Sequence, residues 1–207
     1  MHLLAAQPGL IDDGSEAVDL GQTPGDIVVL SAADSEIAAL AAAQDTQLSS
    51  SPDAPSLRLA NLMHLGHNMS VDLYLDSVID NAKLVVVRLL GGRGYWPYGV
   101  EQITARCRAR MIPLAWLPGD DQPDAELTGL STLQPDAAHR LWQYCVHGGP
   151  GNAVSFLQFA ATLVGRETAW REPAPLMRAG LYWPGQDNPS LADLPWIMER
   201  PRAAIVF

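Results

Sequence analysis

Leu84-Val85-Val86-Val87-Arg88-Leu89-Leu90-Gly91-Gly92 is the stretch on which the fold turns. Its β-branched run is apolar on both alternating faces, the pattern of a strand buried between two layers. The glycines close it as a strand closes into a tight turn. Upstream, Ser70 opens a helix whose apolar stripe is Val71, Tyr74, Leu75 and Val78. Before that, Leu57 to Met63 alternates as a second strand, and Ser49-Ser50-Ser51-Pro52-Asp53 reads as a loop. Asp34, as N-cap, opens an Ala-rich helix that follows the short strand Asp26-Ile27-Val28-Val29-Leu30-Ser31. Downstream, Pro97 suits the first turn of the next helix. Ile112 to Leu117 is a fourth strand, bounded by Pro118-Gly119-Asp120-Asp121.

Strands and helices alternating at this spacing predict βαβ units on a parallel sheet. The expectation is a flavodoxin-like, three-layer α/β domain over residues 1–120, with Met1 to Ala6 a candidate for a further strand. Residues 121–170 predict a helical hairpin, Pro135 to His147 and Asn152 to Gly165, packed on the sheet domain or beside it. Residues 171–207 form a connecting segment rich in Pro, Gly and Trp. It ends in Ala203-Ala204-Ile205-Val206-Phe207, which reads as the first strand of a further domain and so as a sign of a longer polypeptide.

Composition narrows the function. The 207 residues carry 23 acids and 13 bases, a net charge of −10 that repels nucleic-acid phosphates and anionic membranes. Lys83 is the one lysine; the arginine and alanine excess reads as a coding bias. No apolar run is long enough to span a bilayer, and Met1 to Ala6 lacks the basic start of a secretory signal. Cys107 and Cys145 fit neither a disulfide framework nor zinc-ligand spacing. These features point to the cytoplasm.

Two groups could carry chemistry. His64 and His67 sit where the second strand leaves the sheet, the end at which open α/β sheets bind ligands. Two imidazoles with Asp72 nearby could hold a divalent metal; equally, one histidine caps the helix and the other is exposed. In Gly91-Gly92-Arg93-Gly94-Tyr95-Trp96-Pro97-Tyr98-Gly99, Arg93 with Tyr95, Trp96 and Tyr98 could grip a flat anionic molecule. The alternative is a tight turn whose aromatics pack under a neighbouring loop. The stretch is neither a Walker A loop nor a dinucleotide fingerprint, and the chain has no nucleophile elbow. Asp120 and Asp121 read as turn residues or ligands of a hard cation.

Taken in order, several segments resemble the N-terminal region of cobaltochelatase large subunits of the CobN type, related to the large H subunit of magnesium chelatase. They are His67 to Tyr74, Arg88 to Gly92, Tyr95 to Gln102, Leu117 to Asp121, Gly148 to Ala153, Ala179 to Gly185 and Ala203 to Phe207. Asn68 stands where the family usually has Pro, and family members are several times longer. The resemblance implies an enzyme that inserts Co²⁺ into hydrogenobyrinic acid a,c-diamide in aerobic cobalamin synthesis. It implies ATP and Mg²⁺ on separate AAA+ partner subunits, a tetrapyrrole substrate on the large subunit, and insertion residues outside this piece, which alone is inactive. A scaffold or partner-docking domain of the same subunit is the alternative.

Overall fold

The computed structural model describes residues 16–175, 180–181, 183 and 189–193. The strand expected at Met1 to Ala6 and the terminal strand at Ala203 to Phe207 lie outside them. Two compact units divide at Ala174 and Pro175. In the second, Ser190 donates its backbone N–H (2.8 Å) and its hydroxyl (2.6 Å) to Asp193, closing a single 3₁₀ turn, Leu191–Asp193.

The first unit is built on four parallel strands: β1 (Ile27–Ser31), β2 (Leu57–Asn61), β3 (Leu84–Leu89) and β4 (Leu114–Pro118), in the order β2-β1-β3-β4. The fold is α/β and flavodoxin-like, as its sequence pattern predicts. The strands are apolar on both sides because both sides are covered. Val28, Leu30, Val85, Val87, Leu114 and Trp116 pack under α2 (Asn68–Ser77) and α3 (Pro97–Arg110). Ile27, Val29, Leu84, Val86, Ala115 and Leu117 pack under α1 (Asp34–Ser50), α5 (Pro135–His147) and α6 (Gly149–Leu163).

Several element ends differ from the reading of the sequence, each for a local reason. Asp34 is inside α1 rather than capping it; Ala33 precedes the helix, and Asn61 donates its amide to the Asp34 carboxylate at 2.8 Å. β2 stops at Asn61, whose side-chain oxygen accepts from the Met63 N–H at 2.9 Å. That bond turns the chain into a 3₁₀ segment, Leu62–Leu65, instead of extending the strand. The short helix α4 (Ala125–Thr128) leaves no periodic mark in the sequence; Asp124 caps it by accepting from Leu127 N–H at 2.8 Å. α6 starts at Gly149, with Pro150 in its first turn, so Gly148 alone separates it from α5.

Beyond α6 the chain is strapped down by side chains. The Asn152 amide donates to the Ala174 carbonyl and accepts from the Ala174 N–H, both at 2.9 Å. Arg140 forks onto Glu172 at 2.9 and 3.0 Å while its guanidinium lies over Phe159 and Trp170. Asn152 belongs to the Gly148–Ala153 motif, and this strap is its structural use.

At the amino end of the sheet, Asp26 bonds Lys83 at 2.8 Å and accepts from the Ser56 N–H and hydroxyl at 2.9 and 2.8 Å. The lysine first, then the serine donors, hold its pKa at about 2, below the ordinary 3.8. A depressed carboxylate stabilises the fold above its unfolded pKa and loses that contribution as pH falls towards 2. Asp26→Asn should therefore flatten the stability profile between pH 4 and pH 2. At pH 7 the solvent-screened loss should stay below about 1 kcal/mol. Chemical denaturation across that pH range checks it; an unchanged acid slope would remove Asp26 from the account.

Candidate functional site

The strand order reverses between β1 and β3, so their carboxyl ends flank the position where open α/β sheets form a crevice. What stands there is an ion pair. Arg88, one residue from the end of β3, pairs with Glu36 in the first turn of α1; their side chains are 12% and 19% exposed. The Ser31 hydroxyl donates to Glu36 at 2.7 Å and accepts from the Ala33 N–H at 3.1 Å. Arg88 Nε donates to the Pro118 carbonyl at 3.2 Å. Burial lowers the Arg88 pKa, against which the nearby Cys145 and Asp120 act. One largely but not fully buried cation thus ties together the ends of β1, β3 and β4. The sequence signal for it was a lone charge inside an apolar strand.

Beside this knot lies a cleft of about 400 Å³ between the turns that follow β3 and β4. Its walls are Leu89, Gly91 and Gly92 on one side and Pro118, Gly119 and Asp120 on the other, with Asp124 at the foot of α4. Gly119 is required by close approach: a Cβ there would stand 2.5 Å from the Leu90 backbone nitrogen. Gly91 and Gly92 both turn with positive φ, at 86° and 69°. The acids of the cleft serve local turns: Asp120 accepts from the Gln122 N–H at 3.0 Å, and Asp124 caps α4.

The Arg-aromatic group does not converge. Trp96 is buried, 6% exposed, and donates its indole N–H to the Leu65 carbonyl at 3.0 Å. The Tyr98 hydroxyl bonds the Asp72 carboxylate at 2.9 and 3.1 Å, which raises its pKa. Arg93 reaches Glu126 at 3.5 Å on the surface. Tyr95 is 56% exposed, its hydroxyl 3.5 Å from the Met63 sulfur. The two histidines also take different places. His67 Nδ1 accepts from the Met69 N–H at 3.1 Å and so caps α2. His64 is exposed in the preceding 3₁₀ turn. Among the described residues no group of three or more His, Cys, Asp or Glu is placed to hold a metal ion.

The geometry defines a flavodoxin-like α/β domain whose switch point is closed by an internal ion pair. Comparison with known proteins carries it further. The chain is 48% identical over 185 residues to the aerobic cobaltochelatase subunit CobN of a Sinorhizobium species, and 44% identical over 216 residues to that of Pseudomonas aeruginosa. The alignments cover 89% and 100% of this chain but 14% and 16% of those relatives. It is thus homologous to one part of the cobaltochelatase subunit CobN. The fold is similar to the catalytic subunit of cobaltochelatase from Mycobacterium tuberculosis, with a TM-score of 0.59 at 23% identity, over 79% of this chain and 12% of that one. No family model matches the chain.

Proposed function

We propose that the chain is the amino-terminal part of the large subunit of an ATP-dependent cobaltochelatase, serving there as scaffold. The complete enzyme, in this reading, inserts Co²⁺ into hydrogenobyrinic acid a,c-diamide during aerobic cobalamin synthesis in the cytoplasm. The single observation that carries the reading is the 48% identity to a named CobN subunit across nearly the whole chain. Insertion must distort a macrocycle, remove its pyrrole protons and desolvate the metal. Three of the polar groups that the sequence offers for such work are committed to the fold: Trp96 to Leu65, Tyr98 to Asp72, His67 to the cap of α2. That commitment supports placing insertion elsewhere in the subunit. ATP and Mg²⁺ belong, on this reading, to AAA+ partner subunits, in keeping with the missing Gly-Lys-Ser/Thr loop ending. No helix of the described residues is long and apolar enough to cross a membrane.

A second reading has Arg93 and Tyr95 touching the anionic macrocycle directly, with His64 and His67 beside them. The observation in its favour is that Arg93 and Tyr95 stand exposed at the carboxyl edge of the sheet. Titration of the folded chain with hydrogenobyrinic acid a,c-diamide, followed by absorbance and Trp fluorescence, separates the two. The scaffold role predicts no saturable change. Saturable quenching that Arg93→Ala weakens would overturn it and establish the second reading.

A further inference from the structure

The carboxyl edge of the sheet and the adjoining end of α2 carry an apolar patch that stands exposed among the described residues. Met63, Met69, Leu73, Leu90 and Tyr95 are 41%, 56%, 39%, 49% and 56% exposed. They come from the two segments that follow β2 and β3, and three contacts bind those segments together. The Tyr95 hydroxyl meets the Met63 sulfur, Trp96 bonds the Leu65 carbonyl, and Tyr98 bonds Asp72. Met69 and Leu73 are one turn apart on α2, so they share its outer face. Single exposed apolar residues are ordinary, but a grouping of this kind marks an interaction surface.

The patch lies in an acid-poor part of the sequence. Residues 62–71 and 89–100 contain no Asp or Glu, and hold Arg93, His64 and His67, in a chain of net charge −10. Two carboxylates border the patch and both are paired, Asp72 with the Tyr98 hydroxyl and Glu126 with Arg93. Two of its five large apolar side chains are methionines, whose unbranched thioethers adapt to a partner's contour. The opposite edge of the sheet shows nothing comparable. The exposed large apolar side chains there, Leu48 at the end of α1 and Met111 beyond α3, belong to separate helix ends.

We propose that this patch is a docking face for the remainder of a CobN-type large subunit. The occupant is argued from length: the curated relatives extend far beyond the region matched, which is 14% and 16% of them. That extra chain would be tethered to this domain, so a modest apolar patch suffices to hold it at high effective concentration. The inference rests on the reading that this chain works inside such a subunit.

The test is thiol labelling of Met63→Cys and Tyr95→Cys, with Met111→Cys as the control from the opposite edge. Each is made in the chain alone and in the full-length large subunit that carries it. Background from Cys107 is low because it is buried and burial pushes its thiol up to about 12, and the partly exposed Cys145 is changed to Ser in every protein compared. Docking predicts at least tenfold slower labelling at positions 63 and 95 in the full-length subunit, with position 111 unchanged. Equal rates in both proteins would overturn the proposal. So would equal protection of all three positions, which means general enclosure rather than this face. Protection in the chain alone that grows with concentration would assign the face to a second copy, and also overturn it. Cobalt insertion by the full-length subunit with its ATPase partners is read separately. Loss of insertion with labelling as expected would fail the chelatase reading and leave the docking face standing.

Discussion

Arg88→Ala should be among the most damaging single substitutions in the chain, lowering stability by about 3–5 kcal/mol. For a chain of this size that corresponds to a fall in Tm of about 6–20 °C. The cause is less the lost attraction than what remains. Glu36 is 19% exposed, and without Arg88 it keeps only the Ser31 hydroxyl at 2.7 Å. The Pro118 carbonyl also loses its donor. A buried charge deprived of its partner must either be desolvated alone or take up a proton. The pair itself is a weaker contributor than this loss suggests, because both ions had to leave water to form it. Replacing both, as in Arg88→Leu with Glu36→Leu, should therefore recover most of the stability. Urea denaturation of the wild type, Arg88→Leu, Glu36→Leu and the double variant gives the coupling directly, with Arg88→Ala measured beside them. If Arg88→Ala and the double variant lose equally, the orphaned carboxylate is not the cause.

Arg88 also shows how far the sequence could be read. Its strand was the plainest in the chain, and a lone arginine within it was visible. Its partner lies 52 positions earlier, in a helix turn, and no local pattern joins the two. The sheet was legible because strands buried on both faces are apolar throughout, as Leu84 to Leu89 is. The end of β2 was less so. Asn61 stops that strand with a side-chain hydrogen bond, whereas the apolar pattern runs on through Leu62 and Met63. α4 is only one turn long, too short to show a helical period, and its only mark was the capping Asp124.

The candidate site was harder, because an aromatic residue's role depends on where its ring goes. In sequence, Tyr95, Trp96 and Tyr98 are alike, three rings around a proline beside an arginine. In the structure they part: Trp96 turns inward to a carbonyl 31 residues earlier, Tyr98 crosses to α2, and Tyr95 faces solvent. The stretch that looked like a grip for a ligand is largely the joint between the β2 and β3 connections. Motif resemblance identified the protein's relatives correctly without identifying what each motif residue does.

Gly99→Ala tests that joint, and its sign is the informative result. Gly99 lies in the first turn of α3, where replacing glycine by alanine should by itself gain about 0.5–1 kcal/mol of helix propensity. Here a Cβ would stand 2.1–2.4 Å from three atoms of the Trp96 indole, well inside contact distance. Neither side can give easily, since Trp96 is buried and its N–H is held by the Leu65 carbonyl. Overpacking of this kind costs about 1–3 kcal/mol. Full expulsion of the ring would approach the roughly 3–5 kcal/mol of a tryptophan truncation. The clash outweighs the propensity, and the expected net loss is up to about 2.5 kcal/mol with the ring in place and about 2–4.5 kcal/mol if it is expelled. A red shift of tryptophan emission should accompany it as Trp96 meets water. Trp96→Leu removes the ring, so in that background Gly99→Ala should become neutral or stabilising. The reversal of sign between the two backgrounds, measured by urea denaturation, is what ties the glycine to the ring. Should Gly99→Ala stabilise the protein with Trp96 still present, the glycine is not the seat of the indole, and the Tyr95–Gly99 motif would again need a reason outside the fold.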